Sequence, residues 1–324
     1  MKRRHILAAA AAAAAALSLA STAFAQAGGK PVRIVTSFSP GGPVDFVART
    51  LAEQLGRELK RTVIVDNRPG ANGALGALET LRAEADGSAI WITSVGAAAV
   101  NPSLVEKSPY DTQRDFAPVS LVANNLEVLV VGAKDPAADA AEFVKTAKAS
   151  KESTPMASSG SGSIPHLALI QLEEATGAHF LHVPYKGMAP AFTDLMGGQV
   201  KGVFADVAAI MPHVQGGRLK AIGIAASKRH PSLPQVKTFD EQGIKAVDTN
   251  NWYALFVSAK TAPAVVQELN KAVRSAIANP DVSARLLRGG AEPKTSTPQE
   301  LAALLKADTA KWAALIKSRN IKAE

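Results

Sequence analysis

A chain of 324 residues with 36 Lys and Arg against 28 Asp and Glu carries a formal net charge of +8, spread along the sequence rather than clustered. With only 3 Trp and 3 Tyr available to stack bases, this distribution argues against nucleic-acid binding. The absence of cysteine excludes disulfides, thiol catalysis and cysteine metal sites, so packed cores must hold the fold, and the length suits two domains.

Lys2, Arg3 and Arg4 precede an apolar run from Ile6 to Ala20, followed by Ala23-Phe24-Ala25. This pattern predicts a secretory signal over residues 1–25, cleaved after Ala25, and a mature protein in the periplasm. The run is shorter than the roughly 20 residues of a spanning helix, and no later segment approaches that length without charges or Gly/Pro breaks. Arg3-Arg4 also permits the twin-arginine route in place of general secretion.

From Val32 onward, short apolar runs alternate with helical patterns: strand 32–36, helix 44–59, strand 62–66, helix 74–82 and strand 89–94. Such alternation predicts a parallel sheet covered by helices. In the first helix, Val44, Val47, Ala48, Leu51 and Leu55 recur at spacings of three and four, giving one apolar stripe for the sheet. The helix therefore starts at the carboxyl end of the first strand, where open α/β sheets bind ligands.

The alternation resumes with strand 128–131, helix 140–150, strand 156–158, helix 165–176, strand 179–183, helix 189–196, and strands 203–205 and 221–225. A polar, Pro-containing stretch over 227–235 leads to strand 252–257 and three helical patterns at 263–278, 280–288 and 298–318. The expected fold is α/β with two lobes, a cleft where the chain crosses between them, and a helical C-terminal tail. Clefts between domains favour small molecules.

Phe38-Ser39-Pro40-Gly41-Gly42-Pro43-Val44-Asp45 lies between the first strand and the first helix. Its glycines allow close backbone approach, Pro43 suits the first helical position, and the following N–H groups lack intrahelical partners, so the turn suits an anion. Ser158-Ser159-Gly160-Ser161-Gly162-Ser163 repeats the arrangement before the helix at Pro165. Two such turns on opposite lobes can grip one carboxylate from both sides. Ser94 and Gly96 follow the third strand and Asp206 follows strand 203–205, where each can add a polar contact or, for Asp206, cap the next helix. Lys186 is a loop lysine able to attract a carboxylate.

Catalytic patterns are lacking. Ser161 and Ser163 lie near His166, which is expected to support the Gly/Ser turn, but neither serine stands in a G-x-S-x-G elbow and no acid completes a triad. A secreted serine hydrolase using this pair is the enzymatic alternative. His179 and His182, three apart in a strand-like run, point to opposite faces and do not form a metal pair. Gly70, Gly73 and Gly76 do not fit the dinucleotide fingerprint and read as a loop packed closely on a helix start.

From about Lys30 to Glu324 the chain resembles the substrate-binding receptors of tripartite tricarboxylate transporters, the Bug family. The resemblance rests on Pro40-Gly41-Gly42-Pro43-Val44-Asp45, Val65-Asp66-Asn67-Arg68-Pro69-Gly70-Ala71 and Ala117-Pro118-Val119-Ser120-Leu121-Val122. It continues through His182-Val183-Pro184-Tyr185-Lys186-Gly187, Asp194-Leu195-Met196-Gly197-Gly198-Gln199-Val200 and Gly290-Ala291-Glu292-Pro293. It implies a periplasmic binding protein fold of type II-like form, with residues 26–123 plus 253–324 as one lobe and 124–252 as the other. Such a receptor, acting as a monomer without cofactor, closes on a di- or tricarboxylate, amino acid or aromatic acid and presents it to membrane permease subunits. A receptor serving a signalling system, such as a sensor kinase, would have the same cleft.

By that likeness the ligand set is Phe38, Ser39, Pro40, Gly41, Gly42 and Asp45 on one turn and Ser159, Gly160, Ser161, Gly162, Ser163 and His166 on the other, with Ser94, Gly96 and Asp206 completing it. The chain departs from frequent family patterns at Val203-Phe204-Ala205-Asp206-Val207, where many relatives carry Phe-Asp-Asn. It departs again at Ser94-Val95-Gly96-Ala97, where Ser-Gly-Thr is common. Both departures bear on the distal end of the ligand.

Overall fold

The computed structural model describes residues 30–185, 187–249 and 251–322. The expected signal at 1–25 and Lys186 lie outside the described residues. In the first sheet, β1 (Val32–Thr36) pairs in parallel with β2 (Val63–Asn67) and β3 (Ala89–Ser94). Helix α1 (Pro43–Leu59) joins β1 to β2, and α2 (Ala74–Arg82) joins β2 to β3. The predicted stripe on α1 is buried against this sheet.

The strands of the alternation at 32–94 pair in parallel as expected, but each sheet as a whole is mixed. β4 (Phe116–Asn125) and β10 (Asn251–Ser258) belong to the first sheet, and β10 runs antiparallel to both β3 and β4. A two-residue strand, β11 (Glu292–Pro293), completes the order β11-β4-β10-β3-β1-β2. The second sheet has the order β7-β6-β8-β5-β9, with β5 (Glu127–Gly132) antiparallel to both β8 (Gly202–Asp206) and β9 (Leu219–Ile224). Only β6 (Thr154–Ser158) with β7 (Phe180–Pro184) and with β8 pair in parallel there. Only Leu126 separates β4 from β5, so the chain leaves one sheet as a strand and enters the next as a strand.

Two elements escaped the sequence pattern because each contains proline. β4 includes Pro118, tolerated beside an irregularity where Leu255 pairs with Ser120 and Phe256 with Pro118. The helix Val207–Gln215 has Pro212 inside it. A π-turn at Gly96–Val100 running into the short helix Asn101–Leu104 was also unanticipated.

Both faces of each sheet are covered. On the first sheet, α1 and the helix Pro263–Ala278 bury one face, while Trp91, Trp252, Phe256 and the helix Pro298–Ser318 fill the other. The C-terminal helices therefore form part of this lobe's core. The final helix opens with a reciprocal capping box between Thr297 and Glu300. No helix among the described residues is long and apolar enough to cross a membrane.

Trp91 ties the core to the first turn. Its ring lies 4.7 Å from Phe116 and 5.7 Å from both Tyr110 and Phe256, centroid to centroid. Its Nε1 donates to Ser37 Oγ at 2.6 Å, and that hydroxyl donates to the Gly73 carbonyl at 2.8 Å. Gly76 meets the same serine: a Cβ there would sit 2.6 Å from Ser37 Oγ and 3.0 Å from its Cα, so α2 approaches the end of β1 only because this position is glycine.

Trp91→Ala removes this packing and the hydrogen bond to Ser37. It is expected to lower the unfolding free energy by ~3–5 kcal/mol, read as a reduced midpoint in urea denaturation. A midpoint within error of the parent would show that the aromatic cluster does not anchor the lobe.

Candidate functional site

The first turn leaves β1 at Thr36 and enters α1 at Pro43. Gly41 has φ +82, a conformation that favours glycine, and its N–H donates to Asp45 Oδ2 at 2.9 Å. The same carboxylate accepts from Arg49 Nε at 2.9 Å and Asn67 Nδ2 at 2.8 Å, while Asn67 also donates to the Phe38 carbonyl. Burial pushes the Asp45 carboxyl up, but the hydrogen bonds from Arg49, Gly41 and Asn67 outweigh it and hold the group below its ordinary value. Asp45 is thus the internal counter-group that shapes the turn. The capping position, Gly42, has no side chain to accept from the first-turn N–H groups of α1, so those donors stay oriented outward at the positive end of the helix dipole.

The second turn follows β6 and enters the helix Ile164–Thr176. Ser163 caps that helix by accepting from the His166 N–H, and Gly160 N–H donates to Ser158 Oγ at 3.1 Å. Gly162 N–H donates to His166 Nδ1 at 3.0 Å, which places the ring proton of neutral His166 on Nε2. The His166 ring stacks on His182 at 3.7 Å with 3° between planes, and His182 Nε2 lies 2.6 Å from Ser158 Oγ. Burial first, and the neighbouring His182 second, push the His166 pKa down to about 4, so it stays neutral at ordinary pH. With Nδ1 engaged by Gly162, this histidine cannot use that nitrogen as a base for a serine nucleophile.

Both turns open on one cavity of about 760 Å³. Of the expected residues, Phe38, Ser39, Pro40, Gly41, Gly42, Ser94, Gly96, Ser159, Gly160, Ser161, Gly162, Ser163 and Asp206 line it. Asp45 and His166 do not. Each accepts a glycine N–H of its own turn, Asp45 from Gly41 and His166 from Gly162, the latter in the supporting position expected for it. A smaller cavity of about 490 Å³, around Asp139, Lys220 and Lys237, lies away from both turns.

Among the wall residues invisible to sequence reasoning are Glu127, Asn251 and Tyr253. They lie where the chain crosses between sheets, and Glu127 stands opposite Asp206 in the β5–β8 ladder. Asn251 Nδ2 donates to Asp206 Oδ1 at 2.9 Å and to Glu127 Oε1 at 3.4 Å, and Asn125 Nδ2 donates to Tyr253 Oη at 2.5 Å. Burial pushes the Asp206 carboxyl up to about 6 despite hydrogen bonds from Glu127, Asn251 and Asn125. Burial and then the Asp206 charge push Glu127 well above its ordinary range. Two carboxyls this close share a proton rather than both ionise. The signal that could have found Glu127 is an acid opening an otherwise apolar run, Glu127-Val128-Leu129-Val130-Val131.

The lobes touch beside the cavity. A Cβ at Gly162 would overlap Leu104 of the facing lobe, and one at Gly290 would come 2.6 Å from the Ala208 backbone nitrogen. Both glycines have positive φ, +74 and +79.

Comparison with known proteins adds the family. The model of the tripartite tricarboxylate transporter family receptor, TctC, matches residues 47–321. The solved periplasmic binding protein BugD is 32% identical, with a TM-score of 0.78 over 91% of this chain and 99% of its own. MatC from Rhodopseudomonas palustris, solved with bound malate, is 29% identical at a TM-score of 0.77, covering 88% of this chain and 98% of its own. Rpa4515 of R. palustris, solved with adipate, is 28% identical at a TM-score of 0.82, covering 91% and 99%. The chain belongs to the TctC family of receptors, whose Bug-type members are solute-binding proteins rather than enzymes, and it has their two-lobe α/β fold.

Proposed function

We propose that this protein is exported to the periplasm, captures a small carboxylate by closure of its two lobes, and delivers it to the membrane permease of a tripartite tricarboxylate-type transporter. The lobes of this reading are residues 26–123 plus 253–324 and residues 124–252, and the receptor acts as a monomer. The observation that carries it is the pair of turns at Phe38–Pro43 and Ser159–Ser163, on different sheets, lining one cavity beside two helix N-termini. Backbone donors at helix starts recognise an anion without a cationic side chain, and a ligand that bridges the lobes favours the closed form by its differential contacts. The malate of MatC and the adipate of Rpa4515 are ligands of this chemical class. Phe38, Ser39, Pro40, Gly41, Gly42, Ser94, Gly96 and Ser159 to Ser163 are assigned to ligand contact, with Asp45 and His166 holding the turns in shape.

Calorimetry on refolded, ligand-free protein against dicarboxylates, tricarboxylates, amino acids and aromatic acids is expected to find at least one binder. Ser161→Ala is expected to weaken it tenfold or more, about 1.4 kcal/mol. Binding of no carboxylate would sink the reading.

Closure gives a second expectation. Gly290 is off the cavity wall, yet Gly290→Ala forces a Cβ against the Ala208 backbone and is expected to reduce affinity at least tenfold. Affinity unchanged in a folded variant would show that the lobes need not meet here.

Export and delivery are tested together in the cell. Mass spectrometry of periplasmic extract is expected to give a chain beginning at Gln26, and gene deletion is expected to abolish uptake of the calorimetric ligand. Normal uptake with lost ligand-induced transcription would assign the protein to signalling instead.

A further inference from the structure

The acidic corner at the lobe crossover is opposite in character to the two turns. Glu127 and Asp206 are adjacent in the β5–β8 register, and Asn251 spends its amide N–H groups on them. Its Oδ1 has no partner among the described residues although Asn251 is only 6% exposed and lines the cavity. Glu127 Oε2 is likewise enclosed, in a residue 1% exposed. This end of the cavity therefore offers an excess of acceptors: two carboxyls that share one proton, and an amide oxygen. Among the described residues, no Lys, Arg or His lines the cavity.

From this juxtaposition we infer that the ligand is an amino carboxylate, whose carboxylate enters the turns and whose ammonium group meets Glu127, Asp206 and the Asn251 Oδ1. The inference rests on the receptor reading and names its substrate class. An ammonium supplies three donors and one positive charge to a site with acceptors and an excess of acid. A second carboxylate in the same place would face like charge in a low-dielectric pocket, and an alkyl end would leave the buried acceptors without donors.

Proton linkage gives the inference a signature. The titratable groups facing the corner are Glu127 on β5, Asp206 on β8 and Tyr253 on β10, and Tyr253 is held neutral, its pKa raised by burial and then by Asp206. The empty corner holds a proton because burial raises both carboxyls. A cation placed beside them lowers their pKa, so binding releases protons, and affinity for an amine ligand rises with pH through about 6.

The test uses three five-carbon probes with one carboxylate in common: 5-aminopentanoate, pentanoate and glutarate. On the mature protein, 5-aminopentanoate is expected to bind at least tenfold tighter than pentanoate, with glutarate weakest. Calorimetry in two buffers of different ionisation enthalpy is expected to show proton release with the amine and none with pentanoate. Glu127→Gln, close in shape, is expected to remove the amine's advantage over pentanoate and its proton release; a merely structural role would weaken all three probes alike and leave their ranking and the proton release in place. Asp206→Asn supplies the same readout should the first variant fail to fold. Glutarate binding as tightly as 5-aminopentanoate would overturn the inference and leave the carboxylate receptor standing, whereas failure of all three probes and of the wider carboxylate panel would overturn both.

Discussion

The architecture depends on a strand carrying the chain from the first sheet straight into the second, while the return from β9 to β10 runs through non-strand chain. β4 and β5 are separated by Leu126 alone, and β10 begins at Asn251 after the return passage. Leu126 carbonyl accepts from Val207 N–H, and Ala225 N–H donates to the Glu127 carbonyl, so the passages are bonded into the second sheet as they arrive. Extended chain held this way permits rotation about a few bonds while keeping each sheet whole, which is the mechanical requirement for two lobes that close on a ligand. The same passages place Glu127, Asn251 and Tyr253 in the cavity wall. On the proposed closure, hinge and cavity wall are the same residues.

Above that wall, recognition is organised around backbone. Each turn spends one glycine N–H on a side chain behind it, Gly41 on Asp45 and Gly162 on His166. Those bonds do not contact a ligand, yet they decide which remaining donors point inward. The two supports differ in chemistry. Asp45 is charged and neutralised by Arg49, while His166 is neutral and braced by stacking on His182. On the proposed reading, the protein fixes two anion-facing turns without placing a described cationic side chain in the cavity, where it would bind any anion with little discrimination.

The sequence carried much of this. Periodicity placed α1 and the glycine turns correctly because a 3.6-residue stripe and a Gly/Pro break are local signals. Strand direction was not legible, since a run such as Val128 to Val131 reads the same whether its neighbours are parallel or antiparallel. The helix at Val207–Gln215 was hidden by Pro212, whose missing N–H the helix accommodates near its end. Asp45 and His166 were picked out by position, but their bonds to Gly41 and Gly162 were not legible, because sequence does not reveal which way a side chain folds back. Glu127 was missed for a different reason. Its role depends on Asp206, 79 positions away in the chain and opposite it only after β5 and β8 pair.

That pairing is hard to account for as structure alone. Two carboxyls opposite one another on a buried face weaken a ladder that a Val or Thr at either position would satisfy, and desolvation penalises whichever one ionises. Asn251 offsets part of this with two donated hydrogen bonds, but its own carbonyl oxygen is then left buried without a partner, so the penalty moves rather than vanishes. Penalties of this kind are concentrated where a binding partner completes the set of hydrogen bonds. On the proposed function the location is the wall of a ligand cleft, so the cost of burying these groups is offset on binding. A donor-bearing ligand would gain affinity there and, by satisfying groups from β5, β8 and β10 together, would favour the arrangement in which both sheets meet around it.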